Sequence, residues 1–449
     1  MQDAATPAAA RERHPPGLAV LSATELAERF SYYGMTALLA LYMTKQLLLP
    51  GHAEHVWGLE ALRNMFEWRG PLSNMAFASL IYGWYGGLVY LTPILGGLIA
   101  DRWLGKTRAV TIGALLMAAG HLAMSFDQSF LVALLLLILG SGLLKGNISA
   151  QVGTLYPPDA EGRRARGFTI FSTAINIGSV AGPLASGGLA ASYGWHAGFA
   201  LAAAIMLVAL AVYLWGRRLL PPSEIRARSS EQERLQPEER RRAWALVAVI
   251  ALNIPPMIAY MMIWSIGILW IDERVSLASP FGTVPASWFN SVDSFSSILV
   301  AAPLVALWAA QARRGTEPSS LTKMAIGFAI TGLSALLLAA GSLAAGPDSK
   351  VSVLWALGCY FGMGAAFMWY WPITLALVSQ AAPARINSTM VSGAFLALFV
   401  GSVLMGWVGS FYEELGSVAF WSLDAAIGVG GAMLVMLLRR PLERALKAG

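Results

Sequence analysis

The sequence has little charge and a single cysteine. Only 12% of its 449 residues are Asp, Glu, Lys or Arg, against roughly 25% in an ordinary soluble domain, and this excludes a soluble enzyme. Cys359 has no second cysteine with which to form a disulfide within the chain. Phosphate-binding loops, clusters of metal ligands and nucleophile elbows are also missing from the sequence. We therefore expect neither an ATP-driven pump, nor an intramembrane enzyme, nor a resident metal.

Apolar residues make up 57% of the chain, and 45 of its residues are glycine and 16 are tryptophan. Glycine lets membrane helices approach closely, and tryptophan collects at the interfaces of a bilayer. This composition predicts an all-α membrane protein. The formal net charge is +6, but the basic residues lie in loops between apolar runs, where the positive-inside rule places them. No nucleic-acid partner is therefore expected.

Apolar runs of about 20 residues, the length needed to cross a bilayer, recur along the chain from Leu18 onward. We count twelve. They lie at residues 18–48, 75–100, 107–126, 129–155, 166–190, 197–217, 243–271, 287–312, 321–344, 351–381, 388–411 and 418–438. Residues 1–17 have no apolar core of their own, so no cleavable signal peptide is expected.

The orientation follows from the positions of the 31 Lys and Arg residues. Most of them lie in loops on the side of the N-terminus. The opposite side holds only Lys45, Arg63, Arg69, Arg274 and Lys350. The positive-inside rule then predicts that both termini are cytoplasmic. This requires an even number of spans, in agreement with twelve, and we expect a multi-pass protein of the bacterial inner membrane.

The longest polar stretch, at residues 218–242, separates the sixth span from the seventh. It divides the chain into a six-helix bundle at 18–217 and a second at 243–438, with cytoplasmic tails at 1–17 and 439–449. Two six-helix halves joined by a cytoplasmic linker are the layout of the major facilitator fold, in which the substrate site lies near the midplane between the halves.

Five ionisable residues lie inside predicted spans, where each charge costs roughly 2.5 to 3.5 kcal/mol and requires a partner or an aqueous cavity. They are Glu25, Glu28, Arg29, Lys145 and Asp293. The first three recur at spacings of three and four with further polar residues, which places the whole set on one helix face. Those further residues are Tyr32, Tyr33 and Thr36. We expect this face to line a cavity.

Two carboxylates beside the Arg29 guanidinium leave one negative charge unpaired, and Lys145 or a proton can neutralise it. The alternative is a fixed group of ion pairs that only holds the first helix to its neighbours. In the eighth span Asn290, Asp293 and Ser297 are predicted to share a face. The alternative for Asp293 is a solvated acid at the helix end.

Several segments are similar to the motifs of one transporter family. The run ELAERFSYYG at residues 25–34 matches an ExxER pattern followed by FxYYG, and GGLIADRWLGKTR at 96–108 matches a loop of the wider superfamily. Segments at 144–149, 174–178, 285–289 and 383–390 are also similar. The chain thus resembles the proton-dependent oligopeptide transporters of the major facilitator superfamily.

The resemblance implies a proton-coupled symporter that imports di- and tripeptides or peptide-like solutes. It implies a monomer driven by the proton gradient without a cofactor. Proton coupling would involve Glu25, Glu28, Arg29 and Lys145. The substrate pocket would include Arg29 and Lys145 together with Tyr32, Tyr33, Thr36, Tyr90 and Asn176. Asp101, Arg102 and Arg108 would pair across a cytoplasmic gate.

The second half departs from the family's pattern. Met262 and Phe367 stand where an acid is usual, and Ala394 stands where an aromatic residue is usual; in the first half Thr36 replaces an arginine. Phe367 and Trp371 would then line the site without an acid to receive an ammonium group. We expect Asp293, with Asn290 beside it, to be the substitute.

Two other functions remain open on the sequence alone. The altered second half is compatible with a different, non-peptide solute or with export. It is also compatible with a receptor or scaffold that transports nothing, although the buried charges retained in the first and fourth spans argue against this class, because an unused buried charge costs stability.

Overall fold

The computed structural model describes residues 13–157, 159–222, 235–280 and 282–447. The predicted N-terminal tail and linker lie partly outside the described residues, since residues 1–12 and 223–234 are not included; the last two residues of the C-terminal tail are also outside. Nearly all of what is described is helical, so the predicted all-α class is confirmed.

Among the described residues, the first half consists of six long helices and one short one. They are α1 (Pro16–Tyr42), α2 (Leu59–Phe66), α3 (Asn74–Ile99), α4 (Lys106–Ala123), α5 (Phe130–Thr154), α6 (Glu161–Tyr193) and α7 (Trp195–Gly216). Single π-helical segments continue two of these helices, at Met43–Leu47 after α1 and at Ala100–Leu104 after α3. The short α2 lies in the loop between the first two spans.

The second half begins with a broken helix. Its parts are α8 (Pro237–Ala251), α9 (Ile254–Met262), a π-helical segment (Ile263–Gly267) and α10 (Ile268–Arg274). A small antiparallel hairpin of β1 (Ala278–Ser279) and β2 (Gly282–Thr283) follows. The remaining helices are α11 (Phe289–Arg313), α12 (Ser320–Ala345), α13 (Val353–Ala381), α14 (Asn387–Gly409) and α15 (Tyr412–Lys447).

Ten helical segments of the described chain are long and apolar enough to cross a membrane. The two further predicted spans are also helical. They are α1, which contains the charged residues of the ExxER segment, and α4, which is only 18 residues long. In the described chain each of the twelve predicted spans thus forms a helix, and ten of these helices are long and apolar enough to cross a membrane.

Each half packs mainly within itself. In the first half α1 contacts α6 and α7, while α5 contacts α3 and α4. In the second half α12 contacts α13 and α15, and α9 contacts α14 and α15. The main helix contacts between the halves join α3 to α14 and α6 to α11. A space between the halves is therefore bordered by helices from both.

Polar contacts tie the two halves together on the side predicted to face outward. Lys45, just after α1, forms an ion pair with Asp272 of α10. The indole Nε1 of Trp288 donates a hydrogen bond to the Leu184 carbonyl oxygen at 3.0 Å. The Ser291 hydroxyl donates to the Val180 carbonyl oxygen at 2.8 Å. These contacts join the two halves on that side.

Close helix contact in the superfamily loop depends on Gly96. A Cβ atom at Gly96 would overlap the backbone carbonyl oxygen of Gly142 on α5, whereas a Cβ atom at the adjacent Gly97 would meet nothing within 4 Å. The expectation that glycine permits tight packing here therefore holds for only one of the two glycines.

We expect Gly96→Ala to lower the free energy of unfolding by roughly 1 to 3 kcal/mol, because overpacking forces α3 and α5 apart. Gly97→Ala is the matched control, and its effect should stay within about 0.5 kcal/mol. Thermal unfolding of both variants in detergent checks this. Equal losses of thermal stability would contradict the packing argument.

Candidate functional site

A cavity of about 380 Å³ lies between the two halves. Helices α1, α3 and α6 border it from the first half, and the broken helix with α11, α13 and α14 borders it from the second. Its wall is rich in aromatic rings and hydroxyl groups. This size lies within the usual range for pockets that enclose small molecules.

Most of the predicted substrate-binding residues line this cavity. They are Tyr32, Tyr33, Thr36, Tyr90, Asn176, Asp293, Phe367 and Trp371. Arg29 and Lys145 do not line it directly, and neither does Asn290. The two basic residues instead lie behind the tyrosines of the first half, as their contacts show.

The charged residues of α1 form a buried group. The Arg29 Nε atom lies 3.0 Å from a carboxylate oxygen of Glu25 and also pairs with Glu28. Glu28 is completely buried, and Glu25 and Arg29 are 4% and 7% exposed. The prediction that these residues share one buried face is thus confirmed. Two carboxylates share one guanidinium, so one negative charge is left without an ion-pair partner.

Lys145 of α5 is not part of this group in the structure. Within the described chain it has no carboxylate within ion-pair distance. Its Nζ atom lies 4.2 Å from the ring centroid of Tyr32 and 5.6 Å from that of Tyr90. Lys145 thus lies close enough to the two acids to interact with them electrostatically, but its direct contact is with the Tyr32 ring, which attracts the ammonium group through its π face.

Tyr32 connects the charged group to the cavity. The Arg29 guanidinium carbon lies 5.5 Å from the centroid of the same Tyr32 ring that Lys145 contacts. Tyr32 itself lines the cavity. Only the Tyr32 ring thus separates a solute bound against it from the side chains of Arg29 and Lys145.

Asp293 is a buried acid rather than a solvated helix end. It is 1% exposed and lines the cavity from within α11, which begins at Phe289. One carboxylate oxygen accepts a hydrogen bond from the Tyr260 hydroxyl at 2.8 Å. The other oxygen, Oδ1, has no hydrogen-bond partner among the described residues. The solvated alternative is therefore wrong.

Asn290 does not line the cavity, contrary to the sequence prediction. It is completely buried, whereas Asp293 and Ser297 both face the cavity. At 3.6 residues per turn, Asn290 and Ser297 lie only about 20° apart around the helix axis, so Asn290 shares the predicted face. It is the second residue of α11, and along this helix the cavity extends only from Asp293 to Ser297.

The second half has more aromatic residues in the cavity than the sequence comparison predicted. Phe367 lines it as expected. Met262 is completely buried and does not line the cavity. The aromatic residues of the broken helix that line it are Tyr260 and Trp264. Ala394 is buried in a separate apolar cluster with Leu246 and Val378, but the next residue, Phe395, lines the cavity. The eleventh span thus contributes an aromatic residue to the cavity one position after Ala394.

The predicted gate residues lie at the turn between α3 and α4. Asp101 and Arg102 belong to the π-helical segment, and Arg108 follows in α4. The turn itself requires Gly105, whose φ is +73°. In the described ranges these three charged residues make no ion pair. Their role in a gate remains a prediction.

A family model described as the POT family matches residues 107–230 and 220–419 of the chain. These matches cover more than half of the sequence. The chain belongs to the POT family.

Characterised relatives agree with this assignment over nearly the whole chain. A di-/tripeptide transporter of Lactococcus lactis subsp. cremoris is 27% identical, with 95% of this chain and 96% of the relative aligned. The peptide transporter YePEPT of Yersinia enterocolitica is 28% identical, with 95% and 94% aligned. These relatives are transporters rather than enzymes.

Solved structures of the POT family have the same fold. A mutant peptide transporter POT in complex with alafosfalin superposes with a TM-score of 0.85 and 25% identity, over 97% of this chain and 96% of that one. The predicted major facilitator fold is therefore confirmed for this POT member.

Sequence reasoning missed several residues that line the cavity of this POT protein. Among them are Tyr82 and Tyr85 of α3 and Tyr260 and Trp264 of the broken helix. The spacing of three between Tyr82 and Tyr85 was a readable signal, because it puts both on one helix face. The spacing of four between Tyr260 and Trp264 was a similar signal, because residues four apart also share a helix face.

Proposed function

We propose that this POT-family protein is a proton-driven symporter that imports di- and tripeptides, or solutes like them, across a bacterial inner membrane. It works as a monomer without a cofactor, and both termini are cytoplasmic. The observation that carries the proposal is the buried group of Glu25, Glu28 and Arg29, which touches the central cavity through Tyr32.

Proton coupling follows from the unequal charges of this group. Arg29 can neutralise only one of the two carboxylates, so a proton is stabilised on the other. A substrate carboxylate near Tyr32 competes for Arg29 and attracts Lys145. Binding of the substrate carboxylate therefore weakens the ion pairs of Arg29 with Glu25 and Glu28 and favours protonation of these acids. Proton binding and substrate binding then strengthen each other.

The charge distribution suits a zwitterionic solute. The basic side chains lie behind the tyrosines that form the wall of the first half, and Asp293 lies on the wall of the second. A peptide has a carboxylate at one end and an ammonium group at the other. Tyrosine hydroxyls and the Asn176 amide can form hydrogen bonds with the peptide group between these two ends, and these bonds do not depend on the side chains of the substrate. Because both halves hold the solute, rocking between them exposes it to alternate sides.

The experiment is uptake by purified protein in liposomes. Radiolabelled dialanine should accumulate above its external concentration when an inward proton gradient is imposed, with no cofactor added, and a protonophore should abolish the accumulation. Binding without accumulation would instead support the receptor alternative and would contradict the proposal.

Asp293→Asn tests the acid of the second half. We expect it to weaken binding of dialanine at least about tenfold while changing binding of N-acetyl-dialanine little, because only the first ligand brings an ammonium group to the carboxylate. Isothermal titration measures both affinities. Ser294→Ala is the control, since Ser294 lines the cavity next to Asp293 without a charge. Equal losses for both ligands would assign Asp293 to structure or gating.

A further inference from the structure

A buried acid of the second half lies outside the cavity. Asp424 belongs to α15 and to the predicted span at 418–438, and it is completely buried. Neither of its carboxylate oxygens is exposed or has a hydrogen-bond partner among the described residues. An ionised carboxylate in this position would lose its hydration without gaining a donor or a cation, which is costly. Asp424 therefore carries a proton in this conformation.

The two helices with charged residues that pack against α15 bring no cation to this acid. Lys323, the charged residue of α12, lies nine residues before Gly332, where α12 packs against the residue after Asp424. Nine residues are more than two helical turns. Leu246 of α8 belongs to an apolar cluster that Leu446 of α15 also contacts, twenty-two residues beyond Asp424. Within the described chain no basic group of α8 or α12 acts on the acid.

The remaining neighbours of Asp424 are not bases either. Tyr260 of α9 donates its hydrogen bond to Asp293. The Cys359 thiol of α13 lies close enough to interact electrostatically with Asp424, but it adds no positive charge. The ionisable residues of α10 lie in its last turn, and they are Asp272, Glu273 and Arg274. Arg274 donates a hydrogen bond to the carbonyl oxygen of the helix-ending glycine of α12.

Asp424 lies one turn from a contact that leads to the connection between the halves. Trp421, three residues earlier, shares its helix face. The Trp421 ring meets the Trp270 ring of α10 edge to face, with centroids 6.1 Å apart and an interplanar angle of 79°. Both rings are completely buried. Two residues after Trp270, Asp272 forms the ion pair with Lys45 of the first half. The helix α10 thus packs against α15 and also joins the two halves.

Access to Asp424 depends on this joint. Alternating access requires the halves to separate on the predicted outer side. The ion pair of Lys45 with Asp272 then breaks, and α10 is free to move away from α15. Water reaches Asp424 only after the layer of Trp270 and Trp421 has loosened. The carboxylate thus meets water in one conformation and none in the other, so a proton on it favours the conformation in which the halves are joined.

We propose that Asp424 is a proton-binding site that is loaded from the outer side and must be occupied before the halves join there. A proton from the outside water forms an O–H bond with the carboxylate, and α10 then packs over a neutral side chain. The proton returns to the outside water when the halves separate, so it sets the rate of the cycle and is not carried across. This inference rests on the proposed transport function and adds control by the outside pH.

Counterflow of dialanine in liposomes, at equal pH on both sides, tests this control. Asp424→Asn keeps the shape of the protonated acid but cannot ionise. The rate of the variant divided by that of the wild type should be near one at acidic pH. It should rise by up to about tenfold per pH unit once the wild-type acid is mostly ionised. Steady accumulation under a fixed proton gradient should equal that of the wild type, because this proton is not carried across.

Two further variants secure the comparison. Asp424→Thr cannot ionise either, and its hydroxyl can bond to the carbonyl oxygen one turn earlier in the helix. It should give the same rise in the ratio even if the asparagine variant fails to fold. Glu414→Gln is the matched control, because Glu414 is an exposed acid of the same helix. Its ratio should stay near one at every pH.

Infrared spectroscopy detects the bound proton without any transport. At neutral pH, the difference spectrum between the wild type and Asp424→Asn, or Asp424→Thr, should contain the C=O band of one protonated carboxyl group. The difference spectrum for Glu414→Gln should contain the bands of an ionised carboxylate instead, because water solvates that side chain.

The outcomes separate this inference from the proposed function. A carboxylate band for Asp424, or a rate ratio that stays near one at every pH, overturns the inference even if dialanine accumulates. A lower steady accumulation in Asp424→Asn also overturns it, because the proton would then be carried across. If the carboxyl band is present but dialanine neither exchanges nor accumulates, the proton-binding site is supported and symport of this peptide is refuted.

Discussion

Glu28→Gln is expected to abolish proton-driven accumulation of substrate while leaving exchange of substrate across the membrane intact. Glu28 is completely buried and pairs with Arg29. A glutamine amide keeps the shape of the side chain but cannot take up a proton. Glu25 is then the only carboxylate paired with Arg29, so the group is neutral without a bound proton. It no longer takes up the proton that drives transport.

Two assays on the same liposomes separate coupling from binding. Counterflow with substrate on both sides measures exchange, and uptake under an imposed proton gradient measures accumulation. Glu25→Gln should behave like Glu28→Gln. Glu60→Gln is the control, because Glu60 is an exposed acid of α2. If Glu25→Gln and Glu28→Gln both concentrate substrate at the wild-type rate, the coupling role is wrong.

Lys145→Ala should lower the transport rate more than roughly tenfold. Lys145 lies near the cavity and forms no ion pair with a carboxylate of the described chain, whereas Arg29 already forms ion pairs with Glu25 and Glu28. Losing a hydrogen bond to a charged partner costs about 1.5 to 3 kcal/mol, and every 1.4 kcal/mol corresponds to a factor of about ten. Without Lys145, a substrate carboxylate near Tyr32 depends on Arg29 alone.

Lys145→Arg should restore transport only in part. The planar guanidinium keeps the charge but does not replace a compact ammonium group against the Tyr32 ring. Initial uptake rates at several substrate concentrations measure both variants, and Lys350→Ala in an exposed loop on the predicted outer side is the control. Normal uptake by Lys145→Ala would remove this residue from both coupling and substrate binding.

The contact between Tyr32 and the two basic residues gives both predictions a common basis. Arg29 and Lys145 approach the same ring, and that ring lines the cavity. A substrate anion therefore need not displace an existing ion pair of Lys145 in order to attract it. The strength of coupling then depends on how far the anion draws Arg29 away from Glu25 and Glu28.

The N-terminal half of the site was largely predictable because its information is local. The spacing of Glu25, Glu28, Arg29 and Tyr32 follows the period of one uninterrupted helix, which depends on neighbouring residues only. The membrane supplies the second constraint. A charge in an apolar span must point toward a partner or a cavity, so the residue types in α1 already imply a buried, polar face.

The C-terminal half of the site was less predictable, because its lining depends on where helices are broken and how they are rotated against one another. Tyr260 and Trp264, four residues apart in the broken helix, face the cavity, whereas Met262 between them lies on the opposite side of the helix. The sequence comparison singled out Met262 and Ala394, which do not line the cavity, and left out Trp264 and Phe395, which do.

The sequence by itself determined the twelve apolar spans, the two halves, the POT family and the buried acids and base of α1, since each rests on composition, motif or the period of a single helix. Only the tertiary structure decided that Lys145 contacts Tyr32 rather than an acid, that Asn290 is buried beyond the end of the cavity, and that Asp293 adjoins a stack of aromatic rings. These facts depend on the rotation of each helix about its axis and on which neighbour it meets. That rotation is set by packing between residues far apart in the chain, and no local pattern contains it.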